Sequence, residues 1–219
     1  MLEKVLAQSK FQVEEIESII KYTNNAWINT SRRSMNWHKK IKEYIIDIYD
    51  GHLYVEVYGG NWGLACNAIH FIDLVNWWNA SDISSIETSK LNEWFPSKRK
   101  SFMEVNGQLE VNYSNNNKLI MKCENSNNNH LIKVDLGKDS LLIDEQGGYS
   151  INSNKEVIRG RCDLQSELTN LIVSDILINE RCELPLLYES AKSHKILLQV
   201  LLEHWQISNS NQDKCVPIT

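Results

Sequence analysis

From Phe11 to Tyr22 the apolar residues fall at Phe11, Val13, Ile16, Ile19 and Ile20, the spacing of one helix face, with Ser9 placed as an N-cap. Trp37 to Ile48 repeats that spacing through Trp37, Ile41, Tyr44, Ile45 and Ile48. Between them, Ala26 to Asn29 reads as a short strand. His52 to Tyr58 alternates Leu53, Val55 and Val57 against Tyr54, Glu56 and Tyr58, the two-residue period of a half-buried strand that Gly59-Gly60 ends. The run from Trp62 to Trp78, after Asn61, is apolar almost all the way round, which predicts a helix covered on most sides.

From Ile83 to Ile158 the texture changes to short strand-like runs: Ile83–Thr88, Ser101–Val105, Gln108–Tyr113, Lys118–Cys123, Leu131–Leu136, Ser140–Asp144 and Val157–Ile158. Turn formers separate them, among them Asn106-Gly107, Asn115-Asn116-Asn117, Asn127-Asn128-Asn129 and Gly147-Gly148, so a mainly antiparallel meander is expected. Two helices follow, Leu164–Asn179 and Leu187–Gln206, the second announced by Pro185, and then a polar, irregular tail. The order predicts an α+β fold: an open, predominantly antiparallel sheet with helices packed on one face, one unit over residues 1–206 with a tail over 207–219.

Composition narrows the function. The chain has 219 residues, 42% hydrophobic and 23% charged, with a formal net charge of −5. That is enough apolar material for a folded core and a poor electrostatic match to nucleic acid. The basic clusters are short: Lys39-Lys40 with Lys42, and Lys98-Arg99-Lys100. No apolar stretch reaches bilayer length and the N-terminus carries Glu3, Lys4, Gln8 and Lys10 where an export signal would be apolar, so no membrane and a cytoplasmic location are expected. The cysteines Cys66, Cys123, Cys162, Cys182 and Cys215 are scattered without a C-x-x-C pair, and His130, His194 and His204 have no partner at ligand spacing, so reduced thiols and no metal are expected. Neither a G-x-G-x-x-G nor a P-loop pattern occurs.

Candidate chemistry concentrates on the buried helix. At helical spacing Cys66, Asn67, His70 and Asp73 share a face, so a polar stripe crosses an apolar rod. His70 then reads in two ways, as an acid–base group with Asn67 as partner and Asp73 orienting the ring, or as a core histidine whose neighbours satisfy it. Arg32 and Arg33 read either as a solvent-facing pair or as a bidentate clamp for an anionic sugar. Trp62 reads as core filling or as a stacking plane for a sugar ring.

Three segments together resemble the C-terminal domain of the glucose–fructose oxidoreductase/inositol dehydrogenase (Gfo/Idh/MocA) family: Leu2-Glu3-Lys4-Val5-Leu6-Ala7 before a helix, Asn67-Ala68-Ile69-His70-Phe71-Ile72-Asp73-Leu74, and the meander with its Gly147-Gly148 hairpin and two last helices. The resemblance implies NAD(P)-dependent hydride transfer on a sugar or nucleotide sugar. It implies Lys4 and His70 as catalytic residues, Glu3 and Lys4 beside the cofactor, and Asn67, Arg33, Trp62 and Asp73 on the substrate. Cys66 stands where the family has an aspartate four residues before the histidine, and Val5 stands where it has a proline.

The family's nucleotide-binding Rossmann half has no counterpart in the sequence. No cofactor is therefore expected to bind this chain alone, and the chain is expected to be inactive unless a nucleotide-binding chain or domain completes it. A non-enzymatic binding or assembly module derived from the same domain is the competing reading. Phe102, Leu109, Val111, Leu119, Met121, Leu131 and Val134 exceed what one covered sheet face needs, which predicts a homo-oligomer, such as a dimer, formed through the sheet.

Overall fold

A computed structural model describes residues 1–20 and 25–219. Helix α1 spans Lys10–Ile20 and α2 spans Asn36–Ile48. The expected end of the first helix at Tyr22 lies outside the described residues. Ser9 Oγ accepts the Gln12 N–H at 3.3 Å, the N-cap bond its side chain predicts. The sequence 26–29 does not form a strand. It makes isolated bridges instead, Leu2 to Ile28 and Trp27 to Leu186, so it clamps the first residues of the chain rather than joining the sheet.

The sheet has eight strands: β1 Tyr54–Gly60, β2 Ile83–Pro96, β3 Met103–Tyr113, β4 Lys118–Glu124, β5 Leu131–Asp135, β6 Ser140–Asp144, β7 Tyr149–Asn152 and β8 Val157–Arg159. Their order is β2-β3-β4-β1-β5-β6-β7-β8, antiparallel except where β1 runs parallel to β4. The parallel pair arises because α3, Leu64–Asn79, crosses over after β1 and the β2–β3 hairpin intervenes before β4. Helix α3 lies on the sheet with Leu64, Ala65, Ala68, Ile69, Ile72, Leu74 and Val75 buried, as its nearly all-round apolarity predicts. Helices α4, Gln165–Asn179, and α5, Leu187–Asn209, complete the described helices.

In three places the strands depart from expectation: β2 runs on from Ile83 to Pro96, past the expected end at Thr88, and two further departures follow. Asn106-Gly107 is not a hairpin turn, and the runs on either side of it are one strand, β3. Gly107 keeps a positive φ of 111° inside that strand, opposite Leu91 of the irregularly paired β2, and a Cβ there would fall 2.4 Å from the Lys90 carbonyl oxygen. The glycine serves close approach of a neighbouring backbone, not a turn. Strand β7 adds a member that the sequence pattern does not signal, because Tyr149–Asn152 is only four residues long.

The side chains expected to form an oligomer face are mostly on the other side. Leu109, Val111, Leu119, Met121 and Val134 are fully buried under the helices, each contributing about 1.5–3 kcal/mol. By strand alternation the open face carries Tyr54, Tyr58, Ile120, Leu131 and Leu142, interleaved with Lys122–Glu56 and Lys118–Glu110 ion pairs. The residues after Asn209 form no further helix or strand. Val216 and Ile218 are nevertheless buried, with Val216 N–H on Gln8 O at 2.9 Å and Met103 N–H on Pro217 O at 2.7 Å. Among the described residues no helix is long and apolar enough to cross a membrane.

Candidate functional site

At the end of the sheet where the chain begins, a cavity of about 940 Å³ opens between the Glu3–Val5 segment, the start of α3, the connection from β2 to β3, and Thr219. The segment 26–29 sets the first wall. Leu2 N–H binds Trp27 O at 2.8 Å, Asn29 N–H binds Leu2 O at 2.9 Å, and the Asn29 side-chain amide donates to Glu3 Oε1 at 2.7 Å. Of the residues assigned from sequence, Glu3, Lys4, Asn67 and Trp62 line this cavity together.

Lys4 Nζ donates to the Cys66 carbonyl at 2.9 Å and to Asn67 Oδ1 at 2.8 Å. Asn67 is itself oriented by donating Nδ2 to the Trp62 carbonyl at 2.7 Å. An ammonium has three protons, so one remains for a ligand. Burial lowers the Lys4 pKa, opposed by the nearby Glu104 and Glu3 carboxylates. Trp62 is half-buried, its indole N–H on Lys122 O at 2.9 Å and its ring edge-on to Phe71 at 5.3 Å, so it is held firmly as one wall.

Glu104, on β3, also lines the cavity, and no spacing or motif in the sequence marks it. Its Oε1 accepts the Ala65 N–H at 2.6 Å, closing the first turn of α3 from another element. Gly63, with φ 75°, leaves the room for this: a Cβ there would lie 2.9 Å from Glu104 Oε2. Burial raises the Glu104 pKa and pushes the Cys66 thiol up to about 12, a shift the carboxylate's charge reinforces at Cys66. Cys66 is therefore a neutral thiol and cannot serve as the orienting anion.

His70 stands one helical turn beyond Asn67 and is not among the residues lining the cavity. Its Nδ1 is buried without a hydrogen-bond partner, and burial, with Arg32 and Lys4 adding to it, holds its pKa well below the usual imidazole range. The ring is neutral near pH 7. Asp73 does not orient it. Both Asp73 oxygens are taken by Arg33, Nη2 to Oδ1 at 2.6 Å and Nε to Oδ2 at 2.8 Å, and Thr30 Oγ1 adds a bond to Oδ2 at 2.8 Å. Arg33, read as a sugar clamp or a surface charge, is thereby a bidentate partner of a buried carboxylate whose pKa burial raises.

Arg32 is engaged in the same way by Glu145, Nε to Oε1 at 2.7 Å and Nη2 to Oε2 at 2.8 Å. His38 Nε2 lies 2.8 Å from Oε1 and His130 Nε2 lies 2.9 Å from Oε2. Four contacts fill the acceptor sites of one carboxylate. Burial would raise the Glu145 pKa, but the Arg32 charge and the bonds from Arg32, His130 and His38 hold it well below the carboxylate range. His130, left without a partner by sequence spacing, belongs to this knot. Ligand atoms of His38, Glu145 and Cys162 come within 4.8 Å of one another, yet the Arg32 fork already occupies the carboxylate. These residues become visible only in three dimensions, because they come from five separate segments.

No sequence model of a protein family and no curated protein sequence matches the chain. Solved structures do. The super-repressor mutant Gal80(S0) of Gal80p from Saccharomyces cerevisiae superposes with a TM-score of 0.66 at 17% identity, over 96% of this chain and 73% of that one. The UDP-N-acetylglucosamine 3-dehydrogenase GnnA from Acidithiobacillus ferrooxidans gives 0.63 at 8% identity, over 94% and 68%. The aldose-aldose oxidoreductase from Caulobacter crescentus gives 0.62 at 11% identity, over 96% and 70%. In fold, then, this chain is similar over nearly its whole length to about 70% of the length of these proteins, and it carries an open, mostly antiparallel sheet with helices.

Proposed function

We propose that the chain is the sugar-binding half of an NAD(P)-dependent oxidoreductase and that the cavity at Lys4 is where the sugar sits. The observation that carries this reading is the Lys4–Asn67 pair at the wall of a roughly 940 Å³ cavity, with one lysine proton uncommitted and a tryptophan plane beside it. A hydroxyl placed there would accept from Lys4, while Trp62 covers the apolar side of the ring. A dinucleotide, when bound, supplies hydride transfer. The lining residues do not make a cradle for its pyrophosphate, because the Ala65 N–H at the start of α3 is already capped by the Glu104 carboxylate, whose charge opposes a phosphate. Glu3 and Lys4 border the place where a completing nucleotide-binding unit would present its nicotinamide.

Saturation-transfer NMR on the purified chain should show contacts from UDP-N-acetylglucosamine or glucose, the molecules suggested by the neighbouring GnnA and aldose–aldose oxidoreductase structures. Lys4→Met should weaken binding about tenfold, or roughly 1.4 kcal/mol. NAD⁺ and NADP⁺ should show no saturable binding at micromolar concentration. Micromolar dinucleotide binding, or sugar signals untouched by Lys4→Met, would sink the reading. Gal80p, a repressor with this fold, supports a second reading as a non-enzymatic module. In either case a second copy pairs through the open sheet face, around Tyr54, Ile120, Leu131 and Leu142, so light scattering at micromolar concentration should give twice 25.4 kDa. A monomer would overturn that assignment.

A further inference from the structure

Arg32 and Arg33 are spent on Glu145 and Asp73, so anion binding in this chain falls to other cations. Lys98-Arg99-Lys100, in the connection from β2 to β3, is the one run of three consecutive Lys or Arg residues in a chain of net charge −5. Lys118, Lys122, Lys138 and Lys195 each reach a carboxylate, whereas among the described residues none of these three does. The turn that carries them is fixed. Ser97 N–H binds Phe102 O at 2.9 Å, Phe102 N–H binds Arg99 O at 3.2 Å, and Ser97 Oγ accepts the Arg99 N–H at 3.1 Å. Lys98 and Arg99 line the same cavity as Lys4, and Lys100 does not. Arg99 Nη1 donates to Thr219 Oγ1 at 3.1 Å, which leaves most of the guanidinium fork uncommitted. The acids that line the cavity are engaged elsewhere, Glu3 Oε1 by the Asn29 amide and Glu104 Oε1 by the Ala65 N–H.

We propose that this wall is an anion subsite and that the sugar taken by the cavity carries a phosphate ester, held by Lys98 and Arg99 while a hydroxyl meets Lys4. This rests on the sugar-site reading above. A phosphate monoester brings about −1.5 to −2 charges at pH 7 and three acceptor oxygens, which match an ammonium beside a guanidinium fork; a carboxylate brings a single charge. The negative chain repels an anion from most of its surface, so a local cluster of unpaired cations is what draws one in. In titrations of the full chain, glucose 1-phosphate should bind about tenfold tighter than glucose, with glucuronate between them. The double variant Lys98→Ala/Arg99→Ala should reduce the preference for the phosphate about tenfold, whereas Lys100→Ala, the same loss of charge one residue outside the cavity, should change it less than about twofold. In wild type the preference should shrink in about 1 M salt, where the Debye length falls to about 3 Å.

Equal affinity of the wild type for glucose and glucose 1-phosphate overturns the inference while the sugar-site reading stands. A preference untouched by salt or by the double variant overturns it too, as does an equal loss in Lys100→Ala, which would show a diffuse field and no site. Glucuronate binding as tightly as the phosphate would overturn the phosphate assignment and make the carboxylate the group this turn takes. Inorganic phosphate that binds at Lys98 and Arg99, with no saturation transfer to the sugar protons of glucose 1-phosphate, would overturn the sugar-site reading while the anion subsite stands.

Discussion

Replacing Glu145 by leucine is expected to lower the free energy of unfolding by about 3–5 kcal/mol, read from urea unfolding at pH 7. The substitution keeps an apolar volume but leaves the Arg32 guanidinium, 16% exposed in its side chain, without its anion, and strips His38 and His130 of their shared acceptor. Breaking such a pair costs more than the pair is worth, since the surviving charge stays desolvated. The pH dependence has a definite sign. A carboxylate whose folded pKa is depressed binds fewer protons in the native state, so its stabilisation is present above the unfolded value of about 4.3 and is lost as pH falls toward the folded one. The wild type should therefore lose stability in acid, and Glu145→Leu should flatten that limb. An unchanged urea midpoint at pH 7 would refute the account.

Gly107→Val is expected to cost about 2–5 kcal/mol, combining positive-φ strain with overlap of neighbouring backbone. The new Cβ would meet the Lys90 carbonyl at 2.4 Å and the Asn92 nitrogen at 2.9 Å, atoms that cannot rotate aside as a side chain can. Gly51 provides the control: its φ is 106°, but no atom lies within 4 Å of the place a methyl would take, so Gly51→Ala should show the strain alone, about 1–2 kcal/mol. Thermal melts of the two variants decide the matter. Equal losses would mean that the close approach of β2 to β3 is not what requires the glycine.

The helices are legible in the sequence because their information is local. The spacing of Val13 and Ile16, of Ile41 and Ile45, and the nearly all-round apolarity of Leu64 to Trp78 each identify a buried surface without reference to the rest of the chain. The alternation of Val55 and Val57 marks β1 for the same reason. The Asn106-Gly107 pair misleads because a positive φ is demanded equally by a turn and by a strand that another backbone crosses closely, and the dipeptide does not distinguish them. The apolar strand residues point to burial correctly but to the wrong side of the sheet, since alternation says that two faces differ and not which one the helices cover.

The same division runs through the site. Local spacing places Asn67 on one turn of α3 with Cys66 and His70, and only the family resemblance points to Lys4. It does not say that Asp73 is claimed by Arg33, that Arg32 meets Glu145, or that Glu104 reaches the start of α3 from β3, because each pairing joins residues about 40 to 110 positions apart. Sequence periodicity determined which faces this chain must bury. Tertiary packing decided which charges those burials would force into partnership, because a desolvated charge takes whatever opposite charge the assembled elements bring within reach.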